Sequence, residues 1–530
     1  MQQKPVRFLV LLLGAALIFL TSVRSMADIN EERKAQETIM YYLDLLRSEN
    51  FVSAMGLWEP SCLEQSLRMG IEYDGIPIKA DCRSPFVYDY ENMKRFLPDA
   101  IASKAVLDST TFRWKLDAKP DSGKISYFYY TTLVDGYYWI VPPHYYYSRD
   151  WPVRETEYFR FIINPERMEH YNEVGARALD EAVETMAAEL HVPPEKIAML
   201  AEKKIDYYLC KDGFEVENLS GVRDGGVYTI DFDAVITCFF PHYHKVALLM
   251  INLKLERPPL FTIPFMRDGM ATSLGGRWQR APEVVYDFGD YIMKYDIVRP
   301  DSILTYGQYN DATAGDVTSP VGACLSRYIY QQFGDELYFD LYRKLSGDYE
   351  SVVGLTPGGI QQTAASILDM DWSEIKTGFA DFMEKRRQRR GLIHPGETET
   401  DRALIDSDGL RLSMSDKWIK VEYRYDSTTA NEVNLLFGKD EMLEESASML
   451  FDEQYKKKRA FEGYRYGLRM DKNEIGLYDY AVNQIKAKFI DDPGTASDYY
   501  NSAERKITAY FNLNLVENIV DITGDYRILK

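Results

Sequence analysis

Cysteine and histidine are scarce in this 530-residue chain, five of the first and six of the second. So few cysteines in so long a chain exclude a disulfide scaffold, and none forms a C-x-x-C pair. Cys62 and Cys82 are near enough in sequence to bridge, whereas Cys210, Cys238 and Cys324 lie in apolar surroundings and read as buried small hydrophobes. Positive charge is short as well. Lys and Arg total 62 against 82 Asp and Glu, a formal net charge of −20. That balance excludes nucleic acid or an anionic membrane as the main partner, because both need clustered cations. The basic runs Lys385–Arg390 and Lys456–Arg459 sit beside acids and read as solvated helix ends. Also missing are a G-x-S-x-G nucleophile motif, a glycine-rich phosphate loop, internal repeats and low-complexity tracts. Past the N-terminus no apolar run is long enough to span a bilayer, so no transmembrane segment is expected in the mature chain.

Aromatic residues are abundant, with 40 tyrosines, and 46% of the residues are hydrophobic. Such a chain fills cores and is not disordered, and its length calls for several domains. At the N-terminus, Lys4 and Arg7 precede the apolar run Phe8–Leu20, and Ser25-Met26-Ala27 offers small residues for a signal peptidase. Residues 1–27 are therefore predicted to be a signal peptide. The protein is expected to be exported, to a periplasmic or extracellular location.

Residues 28–155 open with an amphipathic helix, Glu31–Ser48, and a shorter one at Phe51–Trp58. Strands Ile125–Val134 and Tyr137–Val141 flank Asp135-Gly136, a dipeptide suited to a type I′ hairpin. Helices leading into an antiparallel sheet, with Tyr41-Tyr42-Leu43, Ala54 to Trp58 and Asp135 to Trp139, resemble the cone-shaped ketosteroid-isomerase-like fold. Tyr127, Tyr129, Tyr138 and His144–Tyr147 read either as the lining of an apolar pocket or as core and edge packing. Residues 156–390 begin with a strand at Glu155–Phe161. A helix follows over Asn172–Leu190, its stripe Val174, Ala178, Ala182 and Met186, and then a strand at Lys204–Cys210. Residues 391–409 read as a linker. Residues 410–530 are rich in strands, at Leu410–Met414, Trp418–Tyr425, Val433–Phe437, Tyr464–Met470, Gln484–Phe489 and Ile507–Leu515, and are expected to form a sandwich-like domain.

The segment His242–Gly276 carries the most specific pattern. A helix beginning H-Y-H-K-V-A-L is followed by prolines 258, 259 and 264 and by a short helix, Met266–Leu274, that contains M-R-D-G-M-A. It resembles the core of the gluzincin peptidases, a thermolysin-like α+β domain in which H-E-x-x-H supplies two zinc ligands and a base and a second helix supplies a glutamate. The stretches Pro320–Gly334 and Ala364–Met383 resemble the helices that close such domains. In that alignment His244 takes the first histidine, Lys245 the base position, Leu248 the second histidine and Asp268 the glutamate. Leucine has no lone pair, and lysine cannot take a proton from zinc-bound water and repels a dication. The resemblance thus implies a degenerate site with no cofactor and no catalytic residue.

The fold expected is α+β and multidomain: a cone, a gluzincin-like domain and a β-rich domain. The function expected is that of an exported, non-catalytic binding protein whose partner is a peptide, a protein or an envelope component. The alternative is an active metal-dependent peptidase or hydrolase with an atypical ligand set, in which zinc would be held by His242, His244 and Asp268 on an extended segment. In place of the metal, Lys245 or His244 is expected to contact Asp268. The competing expectation is that Lys245 turns to solvent and Asp268 caps its helix.

Overall fold

The computed structural model describes residues 29–120, 123–311 and 315–390, together with the strands and some turns between 402 and 529. The expected signal peptide lies outside the described residues. The fold is a mixture of helices and several sheets, as the sequence led us to expect. It divides into two compact units. The first combines the chain up to Asp150 with two later stretches, Phe214–Arg223 and Thr229–Asp233, and the second holds the remainder.

In the first unit, helix α1 (29–47) buries Ile39, Tyr42, Leu43, Leu45 and Leu46, the apolar face that its spacing predicts. Strands β1 (Ser103–Val106), β2 (Thr111–Ala118), β3 (Ile125–Val134) and β4 (Tyr137–Val141) form one antiparallel sheet in that order. Asp135 and Gly136 both take positive φ between β3 and β4, the backbone of a type I′ turn. The later stretches join this unit through charge. Lys79 pairs with Asp233, and both side chains are buried. Arg83 lies 3.4 Å from Asp231, and Ser66 donates to the Asp231 carbonyl at 2.6 Å. The sequence boundary at 155 missed this return of the chain, because long-range ion pairs leave no local pattern.

The second unit opens with β5 (Val153–Glu155) antiparallel to β6 (Phe159–Ile163), so the single strand expected at 155–161 is two strands with a turn between. Strands β7 (Ile205–Leu209), β8 (Gly226–Thr229) and β9 (Ala234–Thr237) complete a sheet ordered β5-β6-β7-β9-β8, with β6, β7 and β9 parallel. Helix α2 (Glu173–Glu189) is capped by Asn172, whose side chain accepts from the Gly175 amide. It buries Val174, Leu179, Val183 and Met186, so its stripe runs beside the Ala178/Ala182 line expected. Then come α3 (Tyr243–Leu255), α4 (Pro264–Gly275), α5 (Pro282–Lys294), α6 (Gly315–Lys344, broken at Gly334) and α7 (Trp372–Arg390). Strands β10 (Phe261–Thr262) and β11 (Ser346–Gly347) form a small ladder.

The expected linker extends less far than 409, since β12 (Arg402–Ser407) already pairs with β13 (Leu410–Met414) around Gly409 at positive φ. Two antiparallel five-stranded sheets follow. The first orders β12 and β13 beside β14 (Trp418–Arg424), β20 (Lys506–Asn512) and β19 (Tyr500–Asn501). The second runs β18 (Gln484–Ile490), β17 (Glu474–Asp479), β16 (Tyr464–Asp471), β15 (Glu432–Lys439) and β21 (Tyr526–Leu529). These strands belong to the same compact unit as the helices, not to a separate domain. The physical reason is a shared core in which Val174 of α2 packs with Leu436, Tyr464, Tyr478 and Tyr480. Asn172 donates to the Ala481 carbonyl at 2.9 Å, and Asn483 donates to that of Phe240.

Candidate functional site

Helix α3 begins where the chain leaves β9. His242 holds its N-cap position, and Tyr243–Leu255 form the helix proper, so the extended reading of His242 and His244 does not apply. Helix α3 is apolar almost all round, with Val246 and Leu248–Ile251 buried, and it sits against α2 and α4 as an interior helix does. Pro264 starts α4 and Gly276, at positive φ, closes it.

The two helices approach closely because one of them ends in glycine. A Cβ on Gly275 would lie 2.6 Å from the Tyr243 carbonyl and 2.7 Å from the His244 amide nitrogen. Asp268, Thr272 and Gly275 follow at helical spacing, so they share the face of α4 that meets the start of α3.

His244 is 5% exposed, and its Nδ1 is buried with no hydrogen-bond partner. Burial first, then Lys245 and Arg277, hold its imidazole well below the ordinary histidine range, so it is neutral at pH 7. His242 is depressed for the same reasons. Its Nδ1 lies 2.7 Å from the Thr237 hydroxyl. That hydroxyl donates to the Gly225 carbonyl at 3.0 Å, which makes the His242 ring the donor. Gly226 is required beside it, since a Cβ there would come within 2.5 Å of the ring.

Lys245 is partly buried. Burial lowers its ammonium, while Asp224 and Asp268 act in the opposite direction. The expected contact with Asp268 is not made: the two interact only at longer range, and neither forms a hydrogen bond or ion pair at contact distance among the described residues. Nor does Asp268 cap α4, whose N-cap is Ile263 and whose first turn holds no acid. Both expectations placed the acid one step too simply, because it lies in the second turn, within electrostatic reach of Lys245, Tyr309 and Tyr342. Leu248, one helical turn after His244, is 8% exposed and belongs to the core.

Arg277 completes the cluster. It opens a tight turn in which Arg277 and Arg280 exchange backbone hydrogen bonds at 3.1 and 2.9 Å. Trp278 and Gln279 between them both adopt positive φ, an uncommon conformation for such residues. The Ile485 amide donates to the Gln279 carbonyl at 2.7 Å and the Ala281 amide to that of Ile485 at 3.0 Å, so strand β18 holds the turn. The Arg277 Nη1 is buried and without a partner, as is the hydroxyl of Thr272. Thr237, Thr272, Arg277, Tyr309 and the Asp224–Gly226 turn all escaped the sequence reading. Only the Gly225-Gly226 doublet, next to a strand, carried a local signal.

A zinc ion does not fit these residues. The fourth residue after His244 is a buried leucine, a cation occupies the base position, and the imidazole of His242 is bonded to Thr237. Among the described residues, no three histidines, cysteines or carboxylates come together as a metal site. All five cysteines are free thiols, Cys62 and Cys82 included. No described helix is long and apolar enough to cross a membrane. Comparison with family models, curated proteins and solved structures yields no match.

Proposed function

We propose that the chain is an exported, non-catalytic binding protein whose central region is a degenerate gluzincin-like scaffold, between a cone-like N-terminal part and a sandwich-like pair of C-terminal sheets. One observation carries this reading. At the positions where a gluzincin helix presents its base and second histidine, α3 presents a partly buried ammonium and a core leucine, Lys245 and Leu248. A site of that composition can hold charged or hydrogen-bonding groups of a peptide, a protein or an envelope component, but it lacks a base to activate water. The alternative, an active metal-dependent hydrolase using His242, His244 and Asp268, draws support from the unpartnered Nδ1 of His244. The bond from His242 to Thr237 weighs against it.

Elemental analysis after mild dialysis, paired with a chelator-treated peptidase assay on unstructured substrates, tests the reading. Metal-free protein without chelator-sensitive cleavage is expected. Stoichiometric zinc, or cleavage lost to chelator and restored by zinc, would overturn it.

A further inference from the structure

Three buried polar atoms near the junction of α3 and α4 have no partner in the protein: Nδ1 of His244, the hydroxyl of Thr272 and Nη1 of Arg277. Leaving such groups unsatisfied is costly, and their concentration in one place points to a ligand group that satisfies them. They are close in the fold. Gly275, on the same face as Thr272, abuts the His244 amide, and the Gly276 backbone, next to Arg277, acts on the His244 ring. The charged groups that depress His242 and His244 are Lys245 and Arg277, both cations, so the potential at the imidazoles is positive. His244 and Thr272 are closed to solvent, at 5% and 0% exposure, while Lys245, Asp268 and Arg277 are partly open to it. A ligand can therefore reach the guanidinium from outside and extend inward.

We propose that this junction binds a carboxylate, with one oxygen on the Arg277 guanidinium and the other received by His244 and Thr272. A planar carboxylate matches the fork of a guanidinium, and the imidazole supplies a further donor when binding draws its proton to Nδ1. Asp224 and Asp268 stand within electrostatic range of Lys245 and temper the positive field, which favours a monoanion over a phosphate dianion. The strained Arg277–Arg280 turn, fastened to β18, fixes the guanidinium in advance of binding. The proposal rests on the non-catalytic binding reading and adds the ligand chemistry to it.

Full-length protein is titrated with N-acetylglycine, with a short peptide acid, with the same peptide as its amide and with inorganic phosphate. Calorimetry gives affinity, and nitrogen NMR follows the imidazole of His244. Binding of the acids, with His244 shifting toward a protonated Nδ1 and the amide bound at least about tenfold more weakly, supports the proposal. A preference for the peptide acid over N-acetylglycine assigns the carboxylate to a peptide terminus, and equal binding assigns it to a small molecule. Equal binding of acid and amide, tighter binding of phosphate, or an unmoved His244 would overturn it. Arg277→Gln should lower acid affinity at least about tenfold while Arg277→Lys keeps part of it, and the wild-type His244 signal decides should the glutamine variant not fold. Metal-free protein that ignores every acid removes this inference alone, whereas zinc-loaded protein removes the reading beneath it.

Discussion

The hydroxyl of Tyr129 donates to the Asp81 carboxylate at 2.6 Å, although 48 residues separate the two in sequence. Tyr42 of α1 donates to the same oxygen at 2.6 Å, so a helix, a short 3-10 turn and a strand meet on one buried acid. Burial outweighs both donors and pushes the Asp81 carboxyl up to about 7. The aromatic residues of β3 are thus only partly pocket-like: Tyr129 serves a polar anchor inside the core.

Because that carboxyl sits higher folded than unfolded, it binds a proton more readily in the native state. Its contribution to stability is fully present below the ordinary carboxyl value and is lost as pH rises through about 7. Urea unfolding should therefore show stability falling between pH 4 and pH 7, by up to roughly 4 kcal/mol from this group. Asp81→Asn should flatten that slope; an unchanged profile would remove Asp81 as its source.

Lys79 and Asp233 form a buried pair, 7% and 0% exposed at their side chains. Lys79→Met should cost about 3–5 kcal/mol, since it strands a buried carboxylate. Asp233 sits at positive φ, which asparagine tolerates, so Lys79→Met with Asp233→Asn should lose less than the sum of the single changes. Thermal unfolding of the four proteins measures this.

Gly275 touches backbone, not a flexible side chain. Gly275→Ala should destabilise by about 1–3 kcal/mol, because α3 or α4 must move to admit the methyl group. A neutral effect in denaturant titration would show that the two helices are not locked at this point.

If the central scaffold has the kinship proposed, Lys245→Glu with Leu248→His should restore the spacing of a zinc pair on α3. Calorimetry should then detect zinc binding in the double variant that wild type lacks. No gain would count against the alignment.

If the chain is exported as proposed, its mature form should begin near Asp28, and mass spectrometry of the intact protein checks it. Retention of Phe8–Leu20 would instead indicate an uncleaved anchor.

Legibility followed the range of the forces involved. The Asp135-Gly136 hairpin, the limits of α2 and the presence of α3 and α4 could be read directly, because turn chemistry and apolar spacing act over a few residues, although α4 starts at Pro264 and not at Met266. Six of the C-terminal strands were found where alternation is strong, while β12, which falls in the expected linker, β17, with its short Glu474–Asp479 run, and the brief β19 and β21 were not. The return of Phe214–Arg223 and Thr229–Asp233 to the first unit was invisible, being marked by Arg83 on the Ser220 carbonyl and on Asp231 and by Lys79 on Asp233, each across more than a hundred residues. His244, Lys245 and Asp268 were singled out by motif. Arg277 was not, since its place depends on a turn fastened to β18 some two hundred residues later.

That fastening has a practical consequence. Ending the chain after α7 would strip β18 from the Gln279 and Ala281 backbone, uncover Val174 and leave the Asn172 amide without the Ala481 carbonyl. The helical half is therefore not a portable fragment. A shortened version should express as an aggregating, protease-sensitive species, and the wild-type protein should resist cleavage into a stable helical core.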